Sequence, residues 1–109
     1  MTRFNTQLVH GLPVDDNDTG AVNPPIYNST TYAFERVDAM PRYDYARSGN
    51  PTRDFLERQI AQLEQGKRGF AFASGLAAIH AVLSTFKPGD RIVVGDNIYG
   101  GTYLSLIHI

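Results

Sequence analysis

Apolar residues fall into a regular period only after residue 50. Leu56, Ile60 and Leu63 repeat at i, i+4 and i+7 with Phe55 on their flank, and this spacing predicts a helix. Asn50 and Pro51 stand where an N-cap and a first helical residue belong. Gly66 is expected to close the helix as its C′ residue, with Lys67 and Arg68 beside the negative end. Glu57, Arg58 and Gln59 fall between the apolar positions and are expected to face water. The continuous run Gly69-Phe70-Ala71-Phe72-Ala73 predicts a strand buried on both faces, as in a parallel sheet. Leu76, Ile79, Leu83 and Phe86 form a second helical stripe, broken by Pro88-Gly89-Asp90. Arg91-Ile92-Val93-Val94 then predicts another buried strand. Strand, helix and strand make a right-handed βαβ unit, and the fold class is α/β.

Residues 1–50 differ. Asp15, Asp16, Asn17, Asp18 and Gly20 precede Pro24-Pro25, and no useful helical period runs through them. A long segment without regular structure is uncommon inside a compact domain, so it is expected to be functional or to be an arm that packs on something else. The run Ile26–Tyr32 is rich in Thr and Tyr and can be extended without being a firm strand.

Composition excludes more than it selects. The chain has 109 residues, enough for one small domain with a modest core. A net charge of −1 gives no electrostatic case for nucleic acid or an anionic membrane. Without cysteine there is no disulfide framework and no thiolate metal site. The acidic cluster of Asp15, Asp16 and Asp18 lacks EF-hand spacing, so no metal is expected. The start of the chain lacks the apolar run of a signal peptide, and no stretch approaches the ~18 apolar residues of a membrane span. A cytoplasmic location is the expectation.

Ligands of open parallel sheets bind beyond the carboxyl ends of the strands. At one such end, Ser74 can cap a helix while Gly75 opens its first turn, where free N–H groups attract phosphate. A plain capped helix accounts for the same residues. At the other end, Tyr99 precedes Gly100-Gly101 and can lie over a flat cofactor, or simply pack on its own domain. In the arm, Tyr45 and Arg47 share a face if the backbone is extended and would make a phosphate clamp. A solvated arginine beside a packing tyrosine is the bland alternative. Of the histidines, His80 is expected to be a hydrogen-bonded packing residue, and His10 and His108 decide little.

Taken in order, these segments resemble the Cys/Met-metabolism family of pyridoxal-phosphate (PLP) enzymes. The matching stretches are Pro25-Ile26-Tyr27, Ser29-Thr30-Thr31-Tyr32, Tyr43 through Arg53, Phe70 through Ala78 and Asp96 through Tyr103. The resemblance implies the opening of the type I, aspartate aminotransferase-like fold. Residues 1–50 would then be an extended arm serving a neighbouring subunit's site, and residues 51–103 the beginning of the PLP-binding α/β domain. It implies that Tyr45 and Arg47 hold the PLP phosphate of the neighbour, that Gly75 and Leu76 offer it backbone N–H groups, and that Tyr99 stacks on the ring and acts in catalysis.

The implied activity is that of a lyase or transferase of transsulfuration. It would eliminate or replace at the β- or γ-carbon of cystathionine or homoserine esters, in a homo-oligomer built as a dimer of dimers. A non-catalytic phosphate- or cofactor-binding module, or an interaction fragment, is the alternative. The family needs a Schiff-base lysine. The two lysines present, Lys67 after the first helix and Lys87 in a turn, do not suit that role, so the chain is expected to be inactive alone. The family usually continues with arginine after Tyr103, whereas Leu104 stands here, and residues 104–109 are expected to be a non-native tail.

Overall fold

The computed structural model describes residues 3–14 and 18–108, so Asp15 and Asp16 of the acidic cluster lie outside it. The chain forms two compact units, 1–70 and 71–109.

In the first unit, helix α1 (Phe4–His10) precedes a long irregular stretch and helix α2 (Pro51–Leu63). Asn50 caps α2 as expected: its side-chain oxygen accepts from the N–H groups of Thr52 at 2.9 Å and Arg53 at 3.3 Å. Its amide nitrogen donates to the Tyr27 carbonyl at 3.0 Å and the Tyr32 hydroxyl at 3.3 Å. Thr52 Oγ1 in turn accepts from the Tyr27 N–H at 2.8 Å. One helix end thus ties two points of the arm. An antiparallel bridge between Thr31 and Tyr45 joins the arm's two limbs.

A second tie runs through Asp54. A single carboxylate oxygen accepts from Arg42 at 3.0 Å and the Tyr43 hydroxyl at 3.0 Å, and pairs with Arg58 at 3.3 Å. Burial, reinforced by the Asp54 charge, raises the pKa of the Tyr43 phenol, which keeps it a donor.

Two expectations for α2 are overturned. Gly66 is not the left-handed C′ residue: Gln65 takes that position at φ 55°. The N–H of Gly66 reaches the Ala61 carbonyl at 2.8 Å and that of Gln65 reaches Gln62 at 3.2 Å, a Schellman pair ending the helix one residue early. Of the polar residues expected to face water, Arg58 is exposed, whereas Glu57 and Gln59 are half-buried. Gln59 donates to the Leu8 carbonyl at 3.4 Å, and the Glu57 side chain is only 24% exposed beside Arg53. Leu56 and Ile60, by contrast, are 51% and 47% exposed. The side-chain hydrogen bonds between residues 1–49 and α2 fall on its polar residues, while Phe55 and Leu63 of the apolar stripe are half-buried and Leu56 and Ile60 stay exposed.

In the second unit, helix α3 (Gly75–Leu83) and helix α4 (Gly100–Ile107) pack together. Lys87-Pro88-Gly89-Asp90 forms the expected turn, with Gly89 at φ 98° and the Asp90 N–H on the Lys87 carbonyl at 3.0 Å. The expected βαβ ladder is not formed: neither residues 69–73 nor 91–94 pair as strands. A parallel strand gains its hydrogen bonds only from a neighbour about 4.8 Å away, and neither run has one among the described residues. His80 is exposed rather than packed. Residues 100–107 are helical, so Gly100-Gly101 opens a helix rather than a loop turn. Among the described residues only Ala61 and Leu83 are buried apolar side chains.

Two outcomes follow. The purified 109-residue chain should show no cooperative thermal transition by calorimetry, because so thin a core cannot offset chain entropy. In a stably folded protein that contains this chain, Gln65→Gly should add about 1 kcal/mol to stability in urea, since glycine removes the left-handed strain.

Candidate functional site

The arm presents its candidate pair in a form different from the expected one. Residues 45–48 are not extended but make one tight turn, with the Tyr45 carbonyl accepting the N–H groups of Ser48 at 2.9 Å and Gly49 at 3.0 Å. Alternation of faces therefore does not bring Tyr45 and Arg47 together; the turn does. The Arg47 guanidinium lies 4.7 Å from the centre of the half-buried Tyr45 ring, a cation–π distance. Arg47 is exposed and has no carboxylate partner among the described residues. A fork of donors held by an aromatic face and unspent on its own chain suits a phosphate.

The second unit supplies two more candidates. Ser74 Oγ accepts from the Ala77 N–H at 3.2 Å, and the Ser74 carbonyl from the Ala78 N–H at 3.2 Å. The N–H groups of Gly75 and Leu76 find no acceptor among the described residues, as expected for the first positions of a helix. Nothing lies within 4 Å of the point where a Cβ of Gly75 would stand, so a ligand can reach the backbone. This open, dipole-charged end of α3 fits an anionic group.

Tyr99 is the N-cap residue of α4 and is 71% exposed. Its ring folds back over Gly101: a Cβ there would meet Tyr99 Cε1 at 2.7 Å and Leu76 Cδ2 at 3.3 Å. The missing side chain at 101 is therefore what lets the Tyr99 ring settle beside the first turn of α3. Gly75, Leu76 and Tyr99 are brought to one place; Tyr45 and Arg47 form their own pair on the first unit. Lys87 follows the opposite end of α3, and Lys67 follows α2.

One contributor escapes sequence reading. Arg53 donates to the carbonyls of Ala46 at 3.2 Å, Arg47 at 3.4 Å and Ser48 at 3.2 Å. Its only signal in the sequence is a cation in the first turn of a helix, where the dipole favours an acid.

The sequence model of the family described as Cys/Met metabolism PLP-dependent enzyme matches residues 5–109. The chain is 52% identical over 103 residues to a cystathionine beta-lyase of Lactococcus lactis subsp. cremoris, covering 94% of this chain and 27% of that protein. It is 46% identical over 98 residues to a cystathionine gamma-lyase of Bacillus subtilis, covering 90% of this chain and 26% of that protein. Among solved structures it superposes with a TM-score of 0.83 on a cystathionine gamma-lyase from Lactobacillus plantarum complexed with L-serine, at 46% identity, covering 99% of this chain and 28% of the other. The chain thus spans little more than a quarter of the length of these relatives.

The Gly101 geometry carries its own test. Gly101→Ala should push the Tyr99 ring off the α3 end, seen as a shift of the Tyr99 ring-proton resonances. Gly100→Ala, with nothing within 4 Å of its Cβ, should leave them in place.

Proposed function

The chain belongs to the Cys/Met metabolism PLP-dependent enzyme family, and its fold is the opening part of the type I PLP-dependent fold. On that premise we propose that it is part of a PLP lyase or transferase of transsulfuration, acting on cystathionine or a homoserine ester by β- or γ-elimination or replacement. The observation that carries this reading is the stacked Tyr45–Arg47 pair, an exposed guanidinium oriented by a ring and unpaired with any acid among the described residues. PLP, when bound, takes up the electron pair released at the substrate's α-carbon.

The protein's own residues bind and orient. Arg47 and the Tyr45 hydroxyl grip the phosphate of a neighbouring subunit's cofactor, in a homo-oligomer built as a dimer of dimers. Gly75 and Leu76 donate backbone N–H groups to a phosphate at the start of α3. The Tyr99 ring stacks on the pyridine ring, and its hydroxyl moves a proton at the substrate. The site works in the cytoplasm on a small amino acid, and the Schiff-base lysine comes from outside these 109 residues.

The test separates phosphate recognition from ring recognition. In the full-length protein, Arg47→Ala should weaken PLP binding at least about tenfold while leaving the affinity for pyridoxal, which lacks the phosphate, unchanged. Equal PLP affinity in parent and variant would remove the clamp.

A further inference from the structure

Resting on that reading of the clamp, we propose that Arg53 is the positioning residue that holds the Tyr45–Arg47 turn in its anion-gripping form. Arg53 is the third residue of α2, and its own N–H is fixed by the Asn50 cap at 3.3 Å. A cation at this place opposes the helix dipole, and α2 carries it alongside Asp54 in the same turn. What the position gives in return is geometry. From there the guanidinium reaches the carbonyls of three successive residues, Nη1 to Ala46 at 3.2 Å and Nη2 to Arg47 at 3.4 Å and to Ser48 at 3.2 Å. Nε lies 3.8 Å from Glu57 Oε1, which steadies the side chain from the next turn of the helix.

The turn needs this. Residues 45–48 make a single helical turn, closed by the N–H groups of Ser48 and Gly49 on the Tyr45 carbonyl. One turn holds its shape poorly alone, because nucleation fixes several dihedral angles for one or two hydrogen bonds. Its carbonyls also gather partial negative charge beside the residue that must attract an anion. Arg53 satisfies three of them with a planar fork of donors and cancels that charge. It is thereby committed to the turn, whereas Arg47 stays free for the ligand.

Four full-length proteins decide the matter: the parent, Arg53→Ala, Arg53→Lys and Arg47→Ala. Each is titrated with PLP and with pyridoxal, and amide hydrogen exchange is followed at Ser48 and Gly49. Arg53→Ala should bind PLP about tenfold more weakly with pyridoxal affinity unchanged, the loss expected when hydrogen bonds to a charged group are removed. Exchange at Ser48 and Gly49 should quicken while the middle of α2 is unmoved. Arg53→Lys should recover part of the loss, since a point charge serves fewer carbonyls than a fork.

PLP affinity of Arg53→Ala within about twofold of the parent, with Arg47→Ala impaired, would overturn the role of Arg53 and leave the clamp standing. Equal weakening toward PLP and pyridoxal would overturn it in favour of a general structural loss. Parental PLP affinity in Arg47→Ala would remove the clamp and this role together. If the alanine variant does not fold, Arg53→Lys is judged on the same two ligands, with no selective loss toward PLP overturning the proposal.

Discussion

The first turn of α2 is the constraint on which the arm depends. A helix start offers unsatisfied N–H groups, and here the residue that satisfies them also reaches outward. Asn50 accepts with its oxygen from Thr52 and Arg53, and donates with its nitrogen to Tyr27 and Tyr32. Three residues on, Arg53 extends the same logic to the turn of residues 45–48, and Asp54 binds Arg42 and Tyr43. A stretch with little periodicity of its own is thus shaped by polar groups projecting from one regular element. An aspartate at 50 would keep the cap and lose both outward donations, so helix capping alone does not explain this asparagine.

Polar ties do this work because apolar burial is scarce. Ala61 and Leu83 are the buried apolar residues among those described, while Leu56, Ile60, Phe70, Phe72 and Val93 stay substantially exposed. Hydrogen bonds at a surface contribute modestly to net stability, so they set geometry more than they hold the fold together. The relatives are almost four times as long as the match they share with this chain.

Local chemistry was legible in the sequence and non-local pairing was not. Asn50-Pro51, Ser74 and Lys87-Pro88-Gly89-Asp90 declare themselves because a cap or a turn is decided within a few residues. The strand expectation for residues 69–73 and 91–94 rested on hydrophobicity, which says that a segment wants burial but not that a partner lies beside it. The C′ residue falls one position before Gly66 because glycine is favoured there without being required, and Gln65 accepts the strain. α1 is not legible in the sequence because seven residues give too short a period to read. At the candidate site, Tyr45, Arg47, Gly75, Leu76 and Tyr99 were all visible as residue types. The turn that pairs Tyr45 with Arg47, the carbonyls that engage Arg53 and the ring seat over Gly101 were not, since each depends on the backbone path.

Pro51 has a consequence beyond starting a helix. Asparagine side chains age when the following backbone nitrogen attacks them and closes a succinimide, which ends as an acid. Proline carries no N–H, so the nitrogen after Asn50 cannot perform that cyclisation. The amide that ties Tyr27 and Tyr32 to the helix is thereby shielded from deamidation by the succinimide route.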